Sequence, residues 1–539
     1  MTRTLPFHTL LAALALIQPC FNLLAQGDLT PQESAQKFGT LMRYVSQVYV
    51  DSVDIETLTE QAIVNMLEDL DPHSVYFSAD ELKEADEPLN GNFEGIGVQF
   101  NIFKDTIMVV SPISGGPSEK LGIRSGDRIV EVDGKNAAGI GITNRDVMKM
   151  LKGPKGTIVQ VGIRREGVKD LLLFDIVRDK IPIYSLDAAH MVDDHIGYIK
   201  VSRFAKTTMD EFRQAILELQ REGMQDLILD LQGNGGGMLR TAIAMSDEFL
   251  SGDKLIVYTE GRAFEREDTY AQTTGLFEKG RLVVLIDEAS ASASEIVSGA
   301  VQDWDRGLIL GRRSFGKGLV QRPLRLPDGS AVRLTVQKYY TPSGRCIQKP
   351  YDDGVEAYRK EKFERYERGE FMTLDSLDLP DSLMFNTRLL SREVYGGGGI
   401  LPDLFVPLDT TFNSETFSRI LRKGLCSRYA LEQVDAHRKE WDERHQDEDD
   451  FVAHMRFSQA EMAAFKAFVI SEGVEIDDTE WARSLPAIEW RLKAFFGRNI
   501  YENRTFYRVI GGLNEALQEA KRVLNDGTFN AANLAHRTF

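Results

Sequence analysis

Two short apolar runs in the middle of the sequence, each followed at once by a turn of small residues, constrain the fold more than any other feature. The run at 227–230 leads into a glycine-rich segment at 233–237, and the run at 282–286 leads into a serine-rich segment at 290–294. Continuous apolar runs of this length are typical of strands buried on both faces. A segment with a helical pattern follows each turn. The sequence therefore predicts an α/β core.

The residues in and near these turns carry groups that a hydrolase needs. Glycines at 235–237 leave backbone N–H groups free of side-chain obstruction, the serines offer hydroxyls, and Lys317 offers an amine between two glycines. A serine hydroxyl is a weak nucleophile until a base takes its proton, and a lysine is such a base only when neutral. Burial without a paired carboxylate lowers the pKa of a lysine, and the nearest acids in sequence, Asp305 and Asp328, are some way off. The pattern predicts a serine hydrolase with no catalytic histidine.

The position of the serine turn before a predicted helix also suits the stabilisation of negative charge. Free N–H groups and the helix dipole favour an oxyanion at a helix N-terminus. The residue after the nucleophile would donate one hydrogen bond and the 235–237 turn a second. From these residues alone, Ser290, Ser292 or Ser294 could be the reactive residue, or all three could only cap the helix.

Three other polar residues invite a catalytic interpretation. Asp230 could be a catalytic acid, but we expect a carboxylate at a strand end to form the turn. His73 and His190 could be bases, yet neither stands in a motif that matches this role. We therefore expect both histidines to be surface or packing residues. The sequence Asp-Pro-His-Ser at 71–74 is expected to end the preceding helix.

Residues 91–178 change in character to short β-type runs separated by glycine turns. Gly-Ile-Gly-Val at 95–98, together with the segments at 111–117 and 121–129, resembles a PDZ domain. In that family a glycine loop presents N–H groups to the terminal carboxylate of a peptide, and the peptide adds a strand to the sheet edge. The resemblance implies a peptide-binding set of Gly95, Ile96, Gly97, Val98, Val147 and Leu151.

The combination of motifs resembles the carboxyl-terminal processing peptidases, also called tail-specific proteases, from about residue 30 to 410. The resemblance implies a ClpP/crotonase-like α/β core in which Ser292 is the nucleophile, Lys317 is the base and Gln321 orients the lysine amine. It implies oxyanion donors at the N–H groups of Ala293 and Gly236. We expect no cofactor.

Two parts of the chain depart from this resemblance. Gln232 stands where the family often has arginine, and we do not expect this change to abolish the chemistry. The region after about residue 412 lies outside the shared part and has a helical pattern. Its apolar stripes suit dimerisation of the chain, and they equally suit a cover over the core.

The predicted architecture is a multidomain α/β protein. Its segments are a signal peptide at 1–26, an N-terminal helical domain at 28–90, the PDZ domain at 91–178, the protease core at 179–410 with a charged insertion at about 351–395, and a C-terminal helical domain at 411–539.

The first 26 residues have the features of a secretory signal. Arg3 precedes an apolar run at 10–17, and the small residue Ala25 stands at a plausible cleavage point. A lipid on Cys20 is the less favoured alternative, because Pro19 matches such a signal poorly. We expect a periplasmic or otherwise exported protein.

Charge and cysteine content exclude other classes. A formal net charge of -18 argues against a nucleic-acid partner, which would normally meet a basic patch. The sequence contains neither a CxxC nor an HExxH motif, so we expect no metal site. Beyond the signal only Cys346 and Cys426 remain, and two residues do not establish a disulfide.

We therefore expect an exported serine endopeptidase that binds apolar C-terminal tails through its PDZ domain and cleaves through an acyl-enzyme. Its partners would be proteins or peptides with free C-termini, and a homodimer and a regulatory adaptor remain open. The alternative function is that of a PDZ scaffold with a vestigial hydrolase core. An esterase for small molecules is a third interpretation, which leaves the peptide-binding module unexplained.

Overall fold

The computed structural model describes residues 29–113, 115–165, 167–377 and 380–532. The chain divides into two compact units, with the boundary between Asp69 and Leu70. The predicted signal peptide lies outside the described residues. The predicted N-terminal helical domain of 28–90 is divided by this boundary, since residues 70–90 belong to the second unit.

The first unit contains two helices, α1 (Pro31–Val48) and α2 (Ile55–Glu68). A capping box between Thr30 and Glu33 starts α1, and an Asp54 cap starts α2. No side chain of α1 is buried. Its apolar stripe is exposed at Phe38, Leu41, Tyr44 and Val48.

The second unit begins with a turn at 71–74, strand β1 (Val75–Phe77) and helix α3 (Ala79–Asn90). Strand β1 pairs with a strand of the protease core. This pairing explains why the segment belongs to the second unit and not to the unit of α1 and α2. Helix α3 starts at a Ser78–Glu81 capping box and ends at Gly91, whose φ of 72° suits a helix C-cap.

In the described residues, the PDZ domain consists of β-strands and two short helices. Its elements are β2 (Asn92–Gly95), β3 (Val98–Phe103), β4 (Thr106–Pro112), α4 (Pro117–Lys120), β5 (Arg128–Val132), β6 (Lys135–Asn136), α5 (Asn144–Leu151), β7 (Ile158–Arg164), β8 (Leu172–Val177) and β9 (Asp179–Pro182). The sheet order is β3-β4-β5-β7-β8, with β6 on β5. Strands β2 and β9 pair with each other, so the domain joins the core through one two-stranded link.

A six-stranded sheet, in the order β10-β11-β12-β15-β16-β21, forms the protease core. All of its pairs are parallel except β10–β11. Its strands are β10 (Leu186–Met191), β11 (Ile196–Val201), β12 (Asp226–Asp230), β15 (Leu282–Ile286), β16 (Leu308–Gly311) and β21 (Leu404–Phe405). The predicted apolar runs are thus buried strands, as expected.

Helices cover one face of this sheet, and a second sheet adjoins it. The helices are α6 (Thr208–Glu222), α7 (Leu239–Asp247) and α8 (Ala293–Asp303), which pack with alternate strand residues in one apolar core. The second sheet has the order β1-β18-β13-β14, with β17 on β18. Its strands are β13 (Leu255–Glu260), β14 (Glu267–Tyr270), β17 (Leu319–Arg325) and β18 (Ala331–Tyr340).

The charged insertion contains α9 (Gly354–Glu367) and a hairpin of β19 (Met384–Asn386) and β20 (Glu393–Tyr395). Part of this segment is buried despite its many charged residues. The Arg365 side chain is 1% exposed, and its guanidinium pairs with Glu370, which also pairs with Arg313. Internal ion pairs allow these charged residues to be covered.

The C-terminal region is helical, as predicted, and has two parts. The helices of the first part, which have their own apolar core, are α10 (Glu415–Arg422), α11 (Leu425–Ala436), α12 (Arg438–Arg444), α13 (Glu448–His454), α14 (Gln459–Ser471), α15 (Asp478–Ile500) and α16 (Asn503–Ile510). The second part, α17 (Glu515–Asn525) and α18 (Thr528–Ala531), packs on the other face of the six-stranded sheet. The second part therefore covers the core.

Within the described ranges, Cys346 is half-buried and Cys426 is buried, and both are free thiols. No helix of the described part has the length and apolar character needed to cross a membrane. The same residues contain no group of three or more His, Cys, Asp or Glu side chains placed to hold a metal ion.

Candidate active site

The serine turn connects β15 to α8 and holds Ser292 in a strained conformation. Its φ is 56° and its ψ is -110°, a region that residues other than glycine rarely adopt. The neighbouring hydroxyls are buried and engaged, since Ser290 donates to the Leu231 carbonyl at 2.8 Å and Ser294 donates to the Asn234 carbonyl at 2.8 Å. Of the three candidate serines, Ser292 is the one that lines a cleft.

The glycine loop lies directly against this turn. A Cβ on Gly236 would be 2.8 Å from the Ala291 carbonyl oxygen and 3.0 Å from the Ala293 nitrogen. Only glycine fits this approach, and its φ of 103° also favours glycine. Asp230 accepts a hydrogen bond from the Gln232 N–H at 2.8 Å, so it forms the turn as we expected.

The two predicted oxyanion donors have different surroundings. The Ala293 N–H, at the first residue of α8, has no hydrogen-bond partner in the described part of the chain. The Gly236 N–H donates to Asn234 Oδ1 at 2.9 Å, so it is already engaged. The next residue, Gly237, lines the cleft, and its N–H has no hydrogen-bond partner among the described residues, because the bridge to Phe204 uses other groups. The geometry therefore favours Gly237 over Gly236 as the second donor.

The base segment leads into β17 and is joined to the serine turn by one carboxylate. Glu295 is fully buried and accepts hydrogen bonds from the Ser292 N–H at 2.7 Å and the Lys317 N–H at 2.9 Å. It also accepts from the Gly316 N–H at 2.7 Å and the Ser314 hydroxyl at 2.5 Å. Burial raises the pKa of Glu295 to about 7, and these four donors act in the opposite direction.

A second side chain links the same two segments. The Tyr339 hydroxyl lies 3.1 Å from the carbonyl oxygen of Ser292 and also contacts the carbonyl oxygen of Lys317. Tyr339 is on β18, and its ring is buried. Glu295 and Tyr339 together fix the distance between the nucleophile turn and the base segment.

The environment of Lys317 favours its neutral form. Burial is the main cause that lowers the pKa of Lys317, and the positive charge of Arg333 lowers it further. The charges of Glu295 and Asp71 act in the opposite direction. The acids whose charges act on Lys317 are thus not Asp305 and Asp328, which are nearer in sequence, and the net shift of its pKa still favours a neutral amine.

Gln321 is the third predicted member of the site. It lies on β17 directly opposite Thr335 of β18, and its Nε2 donates to Thr335 Oγ1 at 3.3 Å. Lys317 and Gln321 line the same cleft as Ser292. The structure therefore brings the three predicted catalytic residues to one site.

This cleft has a volume of about 680 Å³. Its lining residues come from the 71–74 turn, α3, the glycine loop, the start of α8 and strands β17 and β18. His73 is among them, with its Nε2 2.8 Å from the Tyr358 hydroxyl. Burial and the charges of Lys317 and Lys349 lower the pKa of His73 to about 4, so its imidazole is neutral at neutral pH. We expected His73 to be a surface or packing residue, and this expectation did not include a position in the cleft.

The predicted peptide-binding residues lie where β2, β3 and α5 meet. Gly95 ends β2, Gly97 has a φ of 75°, and Val98 starts β3. Among the described residues, strand β3 pairs only with β4, and no strand is paired with its other edge. The side chains of Ile96, Val147 and Leu151 are buried in the apolar core of the domain.

Three family models match separate parts of the chain. The model described as peptidase family S41 matches residues 195–357, and the model described as PDZ domain matches residues 95–173. Residues 416–502 match a model described as a family of unknown function. The S41 match covers the glycine loop, the serine turn and strands β17 and β18, whereas the 71–74 turn and α3 lie outside it.

Two relatives that match more than half of the chain carry a common description. The carboxy-terminal-processing protease of Bartonella bacilliformis is 36% identical over 341 residues, which cover 62% of this chain and 77% of that protein. The carboxy-terminal processing protease CtpA of Bacillus subtilis is 33% identical over 385 residues, covering 70% of this chain and 81% of the relative. This chain belongs to the carboxy-terminal processing proteases.

A solved structure described as the photosystem II D1 C-terminal processing protease is 29% identical to this chain. The match covers 59% of this chain and 91% of that chain, with a TM-score of 0.34. The sequence relatives confirm the predicted family, and the S41 and PDZ matches agree with the predicted fold class. The chain is thus a serine peptidase of family S41 with a PDZ domain.

Sequence reasoning missed several residues of this processing protease. Glu295 stands three residues after Ser292, a spacing that indicates a capping box, but nothing in the sequence indicated its bonds to residues 314–317. Tyr339 and Thr335 carried no local signal. Asp71 belongs to a segment that we interpreted only as a helix breaker.

Proposed function

We propose that this protease is an exported endopeptidase that cleaves peptide bonds with Ser292 as nucleophile, Lys317 as base and Gln321 as the residue that orients the lysine amine. The observation that carries the proposal is that all three side chains line one cleft, beside a strained serine and a lysine whose pKa is lowered. Activation of a serine by an adjacent base is the common logic of such sites.

In the acylation step, the Ser292 hydroxyl attacks the carbonyl carbon of the substrate while its proton passes to Lys317 Nζ. The N–H groups of Ala293 and Gly237 would bind the developing oxyanion. Collapse of this intermediate breaks the C–N bond, and the proton on Lys317 passes to the leaving amine. The products are the free amine fragment and an ester between the substrate acyl group and Ser292.

In the deacylation step, water takes the place of Ser292 as the nucleophile, and the Ser292 oxygen becomes the leaving group. Lys317, again neutral, takes a proton from the water as the oxygen attacks the ester carbonyl. The proton then returns to the Ser292 oxygen as the ester C–O bond breaks. Water and one peptide bond are consumed, and a carboxylic acid, an amine and the free enzyme remain.

The test uses protein that lacks residues 1–26 and an unfolded substrate with an apolar free C-terminus. We expect the parent to cleave it and expect Ser292→Ala and Lys317→Ala to abolish cleavage. Ser298→Ala is the matched control, because its buried hydroxyl donates only within α8, to the Ser294 carbonyl at 2.8 Å. Cleavage that survives Ser292→Ala would contradict the assigned nucleophile, and tail binding without cleavage by any form would favour a scaffold.

We also propose that the PDZ domain binds the apolar C-terminal tail of the substrate. The open edge of β3 supports this role, because an added strand needs unpaired backbone groups. The N–H groups of Ile96 and Gly97, which precede that edge, have no hydrogen-bond partner among the described residues and are available to a carboxylate.

Matched peptides test tail recognition without changing the protein. One substrate is prepared with an apolar C-terminus as the free carboxylate, as the carboxamide, and with two terminal aspartates. We expect the free apolar form to give the highest kcat/KM. Equal rates for the three forms would contradict recognition of the tail.

Gating by the PDZ domain follows as a further part of the proposal, since peptide binding can shift a closed resting state toward an open one. Gly95 and Asp179 lie opposite each other in the β2–β9 link, so a short turn can replace residues 96–178. We expect this variant to cleave tailed and untailed substrates at similar rates. An unchanged preference for the tailed substrate would contradict gating.

Export is proposed from the basic, apolar and small-residue pattern of residues 1–26. N-terminal sequencing of protein from the periplasmic fraction is the test. We expect a new N-terminus close after Ala25. Full-length protein retained in the cytoplasm would contradict export.

A further inference from the structure

The 71–74 turn is bonded to β18 by a buried carboxylate. Asp71 Oδ1 accepts hydrogen bonds from the N–H groups of His73 at 2.8 Å and Ser74 at 2.9 Å, and Oδ2 accepts the Ser74 hydroxyl at 2.6 Å. The Thr335 hydroxyl donates to Asp71 Oδ1 at 3.0 Å, and the Thr335 N–H donates to Ser74 Oγ at 3.1 Å. Thr335 thereby becomes part of the turn's hydrogen-bond network.

These bonds fix the direction of the Thr335 proton. A carboxylate accepts hydrogen bonds and donates none, and a hydroxyl has a single proton to give. The hydroxyl proton of Thr335 is therefore committed to Asp71 in a charge-assisted bond. Toward any other neighbour, Thr335 Oγ1 can only accept.

The neighbour on that side is Gln321. Its amide must approach Thr335 with the NH₂ end, which agrees with the 3.3 Å contact between Nε2 and Oγ1. The opposite end of the amide, Oε1, is then left for the cleft that Gln321 shares with Lys317. Chemistry alone sets the orientation of this amide.

The orientation matters for a lysine base. A neutral amine has two N–H donors and one lone pair, and the lone pair must take the serine proton. When Gln321 Oε1 faces the Lys317 amine, it accepts one amine N–H. The nitrogen lone pair of Lys317 is then free to take the proton of Ser292. With the amide reversed, Gln321 would donate to the lone pair and occupy it.

We propose that Asp71 and Thr335 are positioning residues, which hold the Gln321 amide with its oxygen toward Lys317 through the fixed proton of Thr335. This inference rests on the proposed Ser292–Lys317–Gln321 mechanism. It assigns a catalytic support role to the Asp-Pro-His-Ser segment, whose residues precede the protease core in sequence by the whole PDZ domain.

The test compares Thr335→Val with Thr335→Ser. Valine keeps the shape of threonine but lacks the hydroxyl, whereas serine keeps it. Thr259→Val is the matched control: Thr259 Oγ1 accepts Gln337 Nε2 at 3.0 Å in the same sheet, and neither residue lines the cleft. We expect Thr335→Val to lower kcat about tenfold with KM unchanged, a loss of the size of one hydrogen bond. Thr335→Ser and Thr259→Val should stay close to the parent.

A double-variant cycle with Gln321→Ala separates positioning from general damage. If Thr335 acts through Gln321, Thr335→Val will cause no further loss of kcat in the Gln321→Ala background. An equal loss of kcat in both backgrounds, or an equal loss in Thr259→Val, would overturn the inference while the catalytic triad stands. Parent kcat in Gln321→Ala itself would instead overturn the proposed role of Gln321.

Discussion

The proposed nucleophile and the proposed base of this protease are held in place by different kinds of contact. Ser292 is held by its own turn, by the start of α8 and by the adjacent glycine loop. Lys317 and Gln321 lie on an extended segment, and they depend on Glu295 from α8 and on Thr335 from β18. A turn followed by a helix can orient a serine almost alone, whereas a strand needs its neighbours to orient a lysine. Substitutions near Ser292 and substitutions near Lys317 should therefore have different effects on kcat, on the free energy of unfolding and on the pH dependence of kcat/KM.

Glu295→Ala removes contacts of both the serine turn and the segment that carries Lys317, so we expect this substitution to have the largest effect on kcat. Four hydrogen bonds to the serine turn and residues 314–317 are lost, and the two segments can drift apart. A misplacement of about 1 Å can lower a rate by about 100-fold, and we expect a loss of kcat of this order. Steady-state kinetics beside the Ser298→Ala control, which should stay within about twofold of the parent, measure it. Parent kcat in Glu295→Ala would refute a shared anchor.

Gly236→Ala should damage the nucleophile side alone. The added Cβ would meet the Ala291 carbonyl and Ser292 at under 3 Å, and the φ of 103° strains any other residue. We expect a loss of about 2 kcal/mol in the free energy of unfolding and a fall of about 10- to 100-fold in kcat. Gly235→Ala is the matched control, because nothing lies within 4 Å of its Cβ position. Equal effects of the two substitutions in urea unfolding and kinetics would contradict the close packing.

Arg333→Gln should change the base side without loss of structure at the nucleophile. The Arg333 charge helps to lower the pKa of Lys317, so its removal raises that pKa. Because the neutral lysine is the active form, the acid limb of kcat/KM against pH should move to higher pH. Arg322→Gln, an exposed change on β17, should leave the limb in place. A shift of the Arg333→Gln limb to lower pH would contradict the sign of this effect.

Gln232→Leu, a change next to the glycine loop, should have the smallest effect on kcat. It removes the acceptor of the hydrogen bond from Asn514 Nδ2, which is 2.8 Å long. We expect a loss of about 1 kcal/mol in the free energy of unfolding by urea and less than threefold in kcat. Asn514→Ser is the companion variant: serine is also a favoured N-cap of α17, but its shorter side chain does not extend to Gln232. A larger loss of kcat than in Gly236→Ala would reverse the proposed ranking.

The same division explains what the sequence could predict. The two buried strands, their turns and the family motifs pointed to Ser292 and Lys317 as the candidate nucleophile and base, because each lies in a short segment with a characteristic local pattern. The helical, PDZ and α/β regions followed from periodicity and glycine placement in the same way. Asp230 was correctly expected to form a turn, since that role depends on neighbours two residues away.

Other features depended on contacts between distant segments and had no local signal. The acids that act on Lys317 are Glu295 and Asp71, whereas Asp305, close in sequence, pairs with Arg392. The position of His73 in the cleft depends on the pairing of β1 with β18. The engaged Gly236 N–H reflects the side-chain rotamer of Asn234, which backbone spacing does not specify.

The packing of α17 on the six-stranded sheet has a consequence for the timing of folding. Apolar residues of this helix, such as Leu517 and Val523, close the sheet face that contains Ile228, Val283 and Leu285. During synthesis these strands leave the ribosome well before residues 515–531 are made. Until then, the sheet face that α17 covers is exposed to water. Because an α/β sheet needs both faces covered, a nascent chain cannot complete its own core early. We therefore expect a chain that ends before residue 515 to leave this face exposed to water and to lack a complete core.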